Sequence, residues 1–456
     1  MKVGSISRNT LAALLQAIFV SGCLFLVYRI IVREAGLEQL GIWSLLMAGS
    51  AIARVGDVSG ASSLGRFIAQ MRGAGNVDEL GETVHTVLLT SLALNMAICF
   101  ALYAMSPILL PLVLSERNLN DALKLVPFIM ASVILGGLSD GIAAGLDGVQ
   151  RTDLRALVQC TGAVSLLATA VILVPAQGVM GFGYAQLVSY AVSILLGWLV
   201  LRRHQPQIGW LPINWRWHLF KTTTGFGMKL SLIGILNLFF DPLVKFAFNK
   251  IGGPKDVALY ELASRVITQV RGLVIASMIP LVPALAALQQ GDRARFHELA
   301  IRAAKASAWG AVATTIASLI LSPLVSYLVL GKISFEMLWL SIPLIFAWSA
   351  NITGVTFYLT AQADGRMRWN MLSHLILMVF VIIGASTVGQ THGVNGLMAS
   401  IVLGLTFSLG CQLFGNASML QLGHVLSRSR LVISASLGLI SSACLLAWQI
   451  MRMVAV

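Results

Sequence analysis

Apolar runs of about 20 residues or more, separated by short polar segments, recur along the whole chain, and each is long enough to cross a bilayer as an α-helix. They fall near 10–32, 39–70, 83–108, 122–146, 153–175 and 179–201, then near 223–249, 256–289, 300–329, 335–362, 367–388 and 394–415, with one more near 431–451. The pattern predicts an all-α polytopic membrane protein built from two six-helix lobes and an additional C-terminal helix. The expected divisions are a first lobe over 1–201, a linker over 202–222, a second lobe over 223–416 and the extra helix within 417–456. The second run of each lobe is long enough to tilt or to extend past the bilayer.

The two lobes are related by sequence. A shift of 217 residues places Gly36 on Gly253, Trp43 on Tyr260, Arg54 on Arg271, Asp147-Gly148 on Asp364-Gly365 and Arg151 on Arg368. A shift of 215 places GVMG (Gly178 to Gly181) on GVNG (Gly393 to Gly396), as one two-residue gap would require. Several matches in one register indicate tandem repeats.

Loop charge sets the orientation. With the N-terminus inside, the inner segments carry 17 Lys and Arg and the outer ones seven, so a cytoplasmic N-terminus is expected. Six spans per lobe then give both lobes the same orientation, with the pseudo-two-fold axis along the membrane normal. Between them, RRHQPQIGWLPINWRWHLFK (Arg202 to Lys221) intersperses Trp210, Trp215 and Trp217 with basic residues and reads as a linker on the cytoplasmic membrane surface, where Pro206 and Pro212 limit helix formation.

Composition excludes other classes. At 57% hydrophobic and 11% charged, the 456 residues lie far from a soluble composition. The start, MKVGSISRNT, leads into the first apolar run with no small-residue cleavage site, so that run is expected to be a span. The net charge of +13 is scattered among apolar runs instead of forming a basic face, which argues against nucleic acid. Cys23, Cys99, Cys160, Cys411 and Cys444 all fall in apolar segments without a CxxC pair, so neither a disulfide framework nor a metal site is expected. No phosphate-binding loop, HExxH or GxSxG motif occurs, and the seven histidines are dispersed, mostly at run edges, where interfacial positions are expected. No enzyme chemistry and no cofactor are expected.

What remains is charge inside the membrane. Seven basic residues (Arg29, Arg54, Arg66, Lys229, Lys245, Arg265, Arg271) stand against four acids (Asp57, Asp140, Asp241, Glu261). Such residues cost about 2.5 to 3.5 kcal/mol each at mid-bilayer, so they usually face a bundle interior or a watery cavity. Arg54 and Arg271 are singled out by the repeat, each about 22 Å along its helix from the outer end at 1.5 Å per residue. Together they would form a cationic pair in a central cavity, and a guanidinium fork suits phosphate or carboxylate. Local pairing is the competing account: Arg54 with Asp57, Glu261 with Arg265, and Asp241 with Lys245 across Pro242, a place where the helix could bend. Arg29 and Arg66 can snorkel to the interfaces. Asp140 lies among glycines suited to close helix packing.

Two six-helix halves, the run DPLVKFAFNKIGGPKDVALYELASRV (Asp241 to Val266), the turns LDGVQR and ADGRMR, and the GVxG entries together resemble the oligosaccharide flippases of the bacterial polysaccharide-transport family. That family belongs to the superfamily of the lipid II flippase and the multidrug and toxin extruders. The resemblance spans residues 1 to about 416. It implies alternating access in the bacterial inner membrane and a cationic cavity for an undecaprenyl-pyrophosphate-linked oligosaccharide, such as an O-antigen or capsule unit. The lipid II flippases' cavity arginines in the first, second and eighth helices look matched by Arg29, Arg54 and either Arg265 or Arg271, and the residue pattern itself adds Lys245 as a candidate cargo contact. Asp57, Asp140 and Asp241 are candidates for ion coupling to H+ or Na+. Membrane lipids, and a polysaccharide polymerase or other assembly protein, are the implied partners. A thirteenth helix departs from the lipid II flippases' fourteen. The rivals are a cation exporter on the same fold, for which an acidic cavity would be expected, a lipid II flippase, a membrane glycosyltransferase or polymerase, and a non-transporting scaffold.

Overall fold

The computed structural model describes residues 3–50, 64–65, 67–68, 71, 79–149, 151–278, 293–364, 366 and 368–454, and side chains for all of these except 3–14, 225–238, 293, 363–364 and 450–454. The described residues form helices and no strands. Among the described residues, nine helical segments are long and apolar enough to cross a membrane. In chain order the first group is α1 (Val3–Glu34), α2 (Leu37–Gly49), α3 (Leu80–Leu109), α4 (Glu116–Gly148), α5 (Thr152–Gln177) and α6 (Val179–His204). Then come α7 (Trp217–Met278), α8 (Arg293–Leu330), α9 (Phe335–Ile352), α10 (Val355–Asp364), α11 (Arg368–Ile383), α12 (Gly389–Gly410), α13 (Asn416–Met419) and α14 (Gly423–Val454).

The chain forms two compact units, Met1–Pro242 and Leu243–Val456. In the first, α1 packs on α5, α2 and α3 on α4, and α4 and α5 on α6. Its core joins Leu64, Ile68, Leu80, Val84, Ile142, Leu146, Val158 and Leu201. In the second, the equivalent pairs recur: α8 on α9, α9 on α12 and α11 on α12. The additional helix α14 is not peripheral to this unit. It packs along α8 and α9, with Phe296, Ala300, Ala304 and Ala308 meeting Leu422, Val425 and Ile433.

Backbone geometry shows the repeat directly. Gly36 (φ 89°, ψ 163°) and Gly253 (φ 80°, ψ −176°) turn the chain between the first two helices of each half in a conformation essentially restricted to glycine. Gly178 (φ 58°, ψ −138°) and Gly393 (φ 61°, ψ −148°) do the same at the later match. A Cβ on Gly181 would lie 2.2 Å from the Leu173 carbonyl oxygen, and one on Gly396 would lie 2.3 Å from that of Val388. Both glycines and both partners are 215 residues apart, so the same close crossing is built twice. Trp43 and Tyr260 are both buried.

Three details correct the sequence reading. The span expected over 335–362 is broken at Thr353–Gly354 into α9 and α10. Pro242 sits inside α7 without interrupting it, and the non-helical dihedrals fall at Gly253. His85, expected at an interface, is buried in α3, and both ring nitrogens lack a hydrogen-bond partner among the described residues. The five cysteines are free.

The connector folds onto the first unit. Residues 205–216 are non-helical. Trp215 Nε1 donates to Thr90 Oγ1 at 3.1 Å, the Arg216 amide donates to Thr86 Oγ1 at 3.0 Å and Arg216 pairs with Glu82 at 2.8 Å. Arg202 lies 3.2 Å above the Trp210 ring, while Trp210, Leu211, Ile213 and Trp217 remain exposed.

Candidate functional site: a buried charge cluster on the α7 hairpin

The site is organised by the turn at Gly253. Lys245 and Glu261 are 16 residues apart, about 24 Å along a straight helix at 1.5 Å per residue, yet Lys245 Nζ lies 2.7 Å from Glu261 Oε2. The two arms of α7 are therefore folded back on each other, and the ion pair sits eight residues from Gly253 on each side. Phe248 stacks on Tyr260 at 4.6 Å between ring centroids, filling the space between the pair and the turn. Nearer the turn, Lys255 Nζ lies 2.9 Å from Glu336 Oε2, which ties the hairpin to the start of α9 and holds the Lys255 pKa above its ordinary value.

Glu261 serves two cations. Its Oε2 takes Lys245, and its Oε1 accepts from Arg265 Nε at 3.0 Å and from the same guanidinium's Nη2. Lys245 and Glu261 are buried, with side chains 6% and 4% exposed, whereas the Arg265 side chain remains 36% exposed. A buried pair of this kind persists only when both partners are present, because either charge alone would be left desolvated. Two cations thus share one carboxylate, and Arg265 is the most exposed of the three side chains.

Arg271, six residues on, enters a different environment. Its guanidinium carbon lies 4.4 Å from the Trp348 ring centroid, a cation–π contact between α7 and α9. Its Nε is buried and finds no hydrogen-bond partner among the described residues. Stacking uses the guanidinium face and leaves the N–H edge to bind an acceptor. Beyond it, Tyr358 on α10 hydrogen-bonds His374 Nε2 on α11 at 3.2 Å. Asn370 Nδ2 donates to the Tyr358 carbonyl at 3.0 Å, and Asn416 Nδ2 donates to Asn370 Oδ1 at 2.8 Å. This polar chain passes the break between α9 and α10, where Ser307 on α8 approaches Thr353 and Thr356. Broken helices and buried polar side chains at membrane depth mark places where a polar cargo or ion is handled.

The structure thus gathers Lys245, Glu261 and Arg265, and places Arg271 against Trp348. Arg29 lies on α1, Asp140 on α4 and Asp241 on α7, all exposed and all within the first unit. Arg54, Asp57 and Arg66 lie outside the described residues, and Lys229 is described by its backbone alone. Of the local pairs weighed from sequence, Glu261 with Arg265 is present, and Lys245 pairs with Glu261 across the hairpin. Sequence reasoning missed Glu261 as the centre of the cluster, and Trp348, Tyr358 and His374 altogether. The near-symmetric placement of Lys245 and Glu261 about the GGP turn was the available signal.

The sequence profile of the polysaccharide biosynthesis protein family matches residues 38–338. The chain belongs to that family. No curated protein matches it by sequence. Among solved structures, the family member is similar to an inward-facing multidrug resistance MATE family transporter of the MOP superfamily, at 18% identity and TM-score 0.74, over 92% of this chain and 98% of that one. It is also similar to the lipid II flippase MurJ in an inward closed conformation, at 14% identity and TM-score 0.68, over 98% of each chain. A Vibrio cholerae MATE transporter gives 15% identity and TM-score 0.65 over 92% of this chain and 97% of that one. This polysaccharide biosynthesis protein is therefore a multi-pass membrane protein with the two-lobe fold shared by those transporters.

Proposed function

We propose that this protein is a flippase, carrying an undecaprenyl-pyrophosphate-linked oligosaccharide from the cytoplasmic to the periplasmic leaflet of a bacterial inner membrane by alternating access. The observation that carries the reading is the charge balance of the cluster in the second unit: Lys245, Arg265 and Arg271 against Glu261, in a member of a polysaccharide biosynthesis family. Charged side chains at membrane depth are costly unless they meet opposite charge, and an anionic passenger would supply it. Pyrophosphate suits Arg271, whose stacked guanidinium keeps its N–H edge available, and Arg54 is its repeat-related counterpart. An ion gradient would drive the cycle through Asp57, Asp140 or Asp241. A cation exporter on the same fold is disfavoured, since its passenger would meet like charge.

The test is deletion of the gene followed by assay of each leaflet for the lipid-linked repeat unit. Accumulation on the cytoplasmic face, reversed by the wild-type gene and not by Arg271→Gln, supports the reading. Normal periplasmic delivery in the deletion strain would reject it.

A further inference from the structure

The cytoplasmic ends of α8 and α14 form a second basic site, separate from the α7 cluster. A groove of about 810 Å³ lies between them, lined by His297, Glu298, Arg302 and Lys305 of α8 and by His424 and Arg428 of α14. Glu298, Arg302 and Lys305 on α8, and His424 and Arg428 on α14, recur at intervals of three or four, so on each helix they share a face, with His297 beside Glu298. The groove walls are fixed, because the neighbouring face of α8 carries Ala300, Ala304 and Ala308, which let α14 approach closely through Leu422, Val425 and Ile433. Glu298 is the sole carboxylate in the lining and is engaged by Arg302 at 2.5 Å. Counting Arg302, Lys305 and Arg428 against Glu298 leaves two positive charges with the histidines neutral. The groove also opens at the start of α14, whose first-turn N–H groups add positive potential.

What lies beyond the basic residues decides the ligand class. Along the same face of α8, Lys305 is followed by Trp309, Ile316 and Ile320, which are 57%, 51% and 64% exposed. Along α14, Arg428 is followed by Leu431, Leu439 and Leu446, which are 82%, 49% and 58% exposed. On α8 a basic head, an aromatic residue and an apolar stripe follow one another, and on α14 a basic head leads into an apolar stripe, matching in order the phosphate and acyl chains of a lipid. We propose that this groove binds one anionic glycerophospholipid, its phosphate held by Arg302, Lys305 and Arg428 and its chains laid along the exposed stripes. In the orientation favoured by loop charge this lipid belongs to the cytoplasmic leaflet. The recognised chemistry is a phosphate, and the acyl chains distinguish a lipid from a free anion.

The experiment is native mass spectrometry of the purified full chain in detergent, titrated with phosphatidylglycerol, with phosphatidylcholine, and with phosphatidylglycerol against inorganic phosphate. One phosphatidylglycerol per chain should be retained, with phosphatidylcholine lost and millimolar phosphate failing to compete. Each basic side chain near an anionic lipid strengthens binding about fivefold, so Arg302→Gln combined with Arg428→Gln should weaken retention about 25-fold. Glu298→Gln, which frees Arg302, should tighten it, a gain that misfolding would not produce. Equal retention of the two lipids, displacement by inorganic phosphate, or unchanged binding in both variants would overturn the proposal.

Discussion

Replacing Glu261 by Gln tests whether the α7 hairpin is held by its buried charges. In the native chain Lys245 Nζ is 2.7 Å from the carboxylate and both side chains are almost completely enclosed. At an effective dielectric constant of about 20, two unit charges at that distance attract by about 6 kcal/mol. Several kcal/mol per ion of lost hydration oppose this, so the intact pair contributes little net stability. Removing one partner is different, because the other charge stays buried while the attraction disappears. Glu261→Gln is therefore expected to destabilise by about 3–5 kcal/mol, with Lys245→Met less severe because it leaves Glu261 its Arg265 partner. The double variant K245M/E261Q, which removes both buried charges, should recover most of that loss. Equilibrium unfolding of the full chain in detergent, run as a double-mutant cycle, measures each quantity. A Glu261→Gln variant within about 1 kcal/mol of wild type, or a double variant less stable than both singles, would refute the reasoning.

Other perturbations separate backbone from chemistry. Gly253→Ala places a Cβ at φ 80°, ψ −176° and should cost about 1–3 kcal/mol in unfolding measurements, with Gly36→Ala behaving alike because its dihedrals nearly coincide. Gly396→Ala brings a Cβ to 2.3 Å from the Val388 carbonyl oxygen, so the α11–α12 crossing must open; lower expression and a lower unfolding temperature are the expected readouts. Arg271→Gln should abolish glycan export with protein level nearly intact, and Arg271→Lys should retain part of the activity, since charge survives and the bidentate fork does not. Trp348→Phe should keep most export and Trp348→Ala much less, as the cation–π partner of Arg271 is weakened or removed.

The sequence alone settled the features that depend on local composition. Runs of about 20 apolar residues leave a chain little alternative to membrane helices, because backbone groups in hydrocarbon must satisfy one another. The duplication was also legible, since Gly36 with Gly253 and Gly178 with Gly393 hold backbone dihedrals that only glycine adopts readily, whatever surrounds them. The partner of each intramembrane charge was a different matter. Glu261 reaches Arg265 one helical turn away, which spacing reveals, but it reaches Lys245 only because the chain reverses at Gly253, and Arg271 meets Trp348 only because α7 and α9 pack together. Helical periodicity reports which side chains share a face of one helix. Which faces meet depends on the packing of whole helices, and that information lies in no single stretch of the chain.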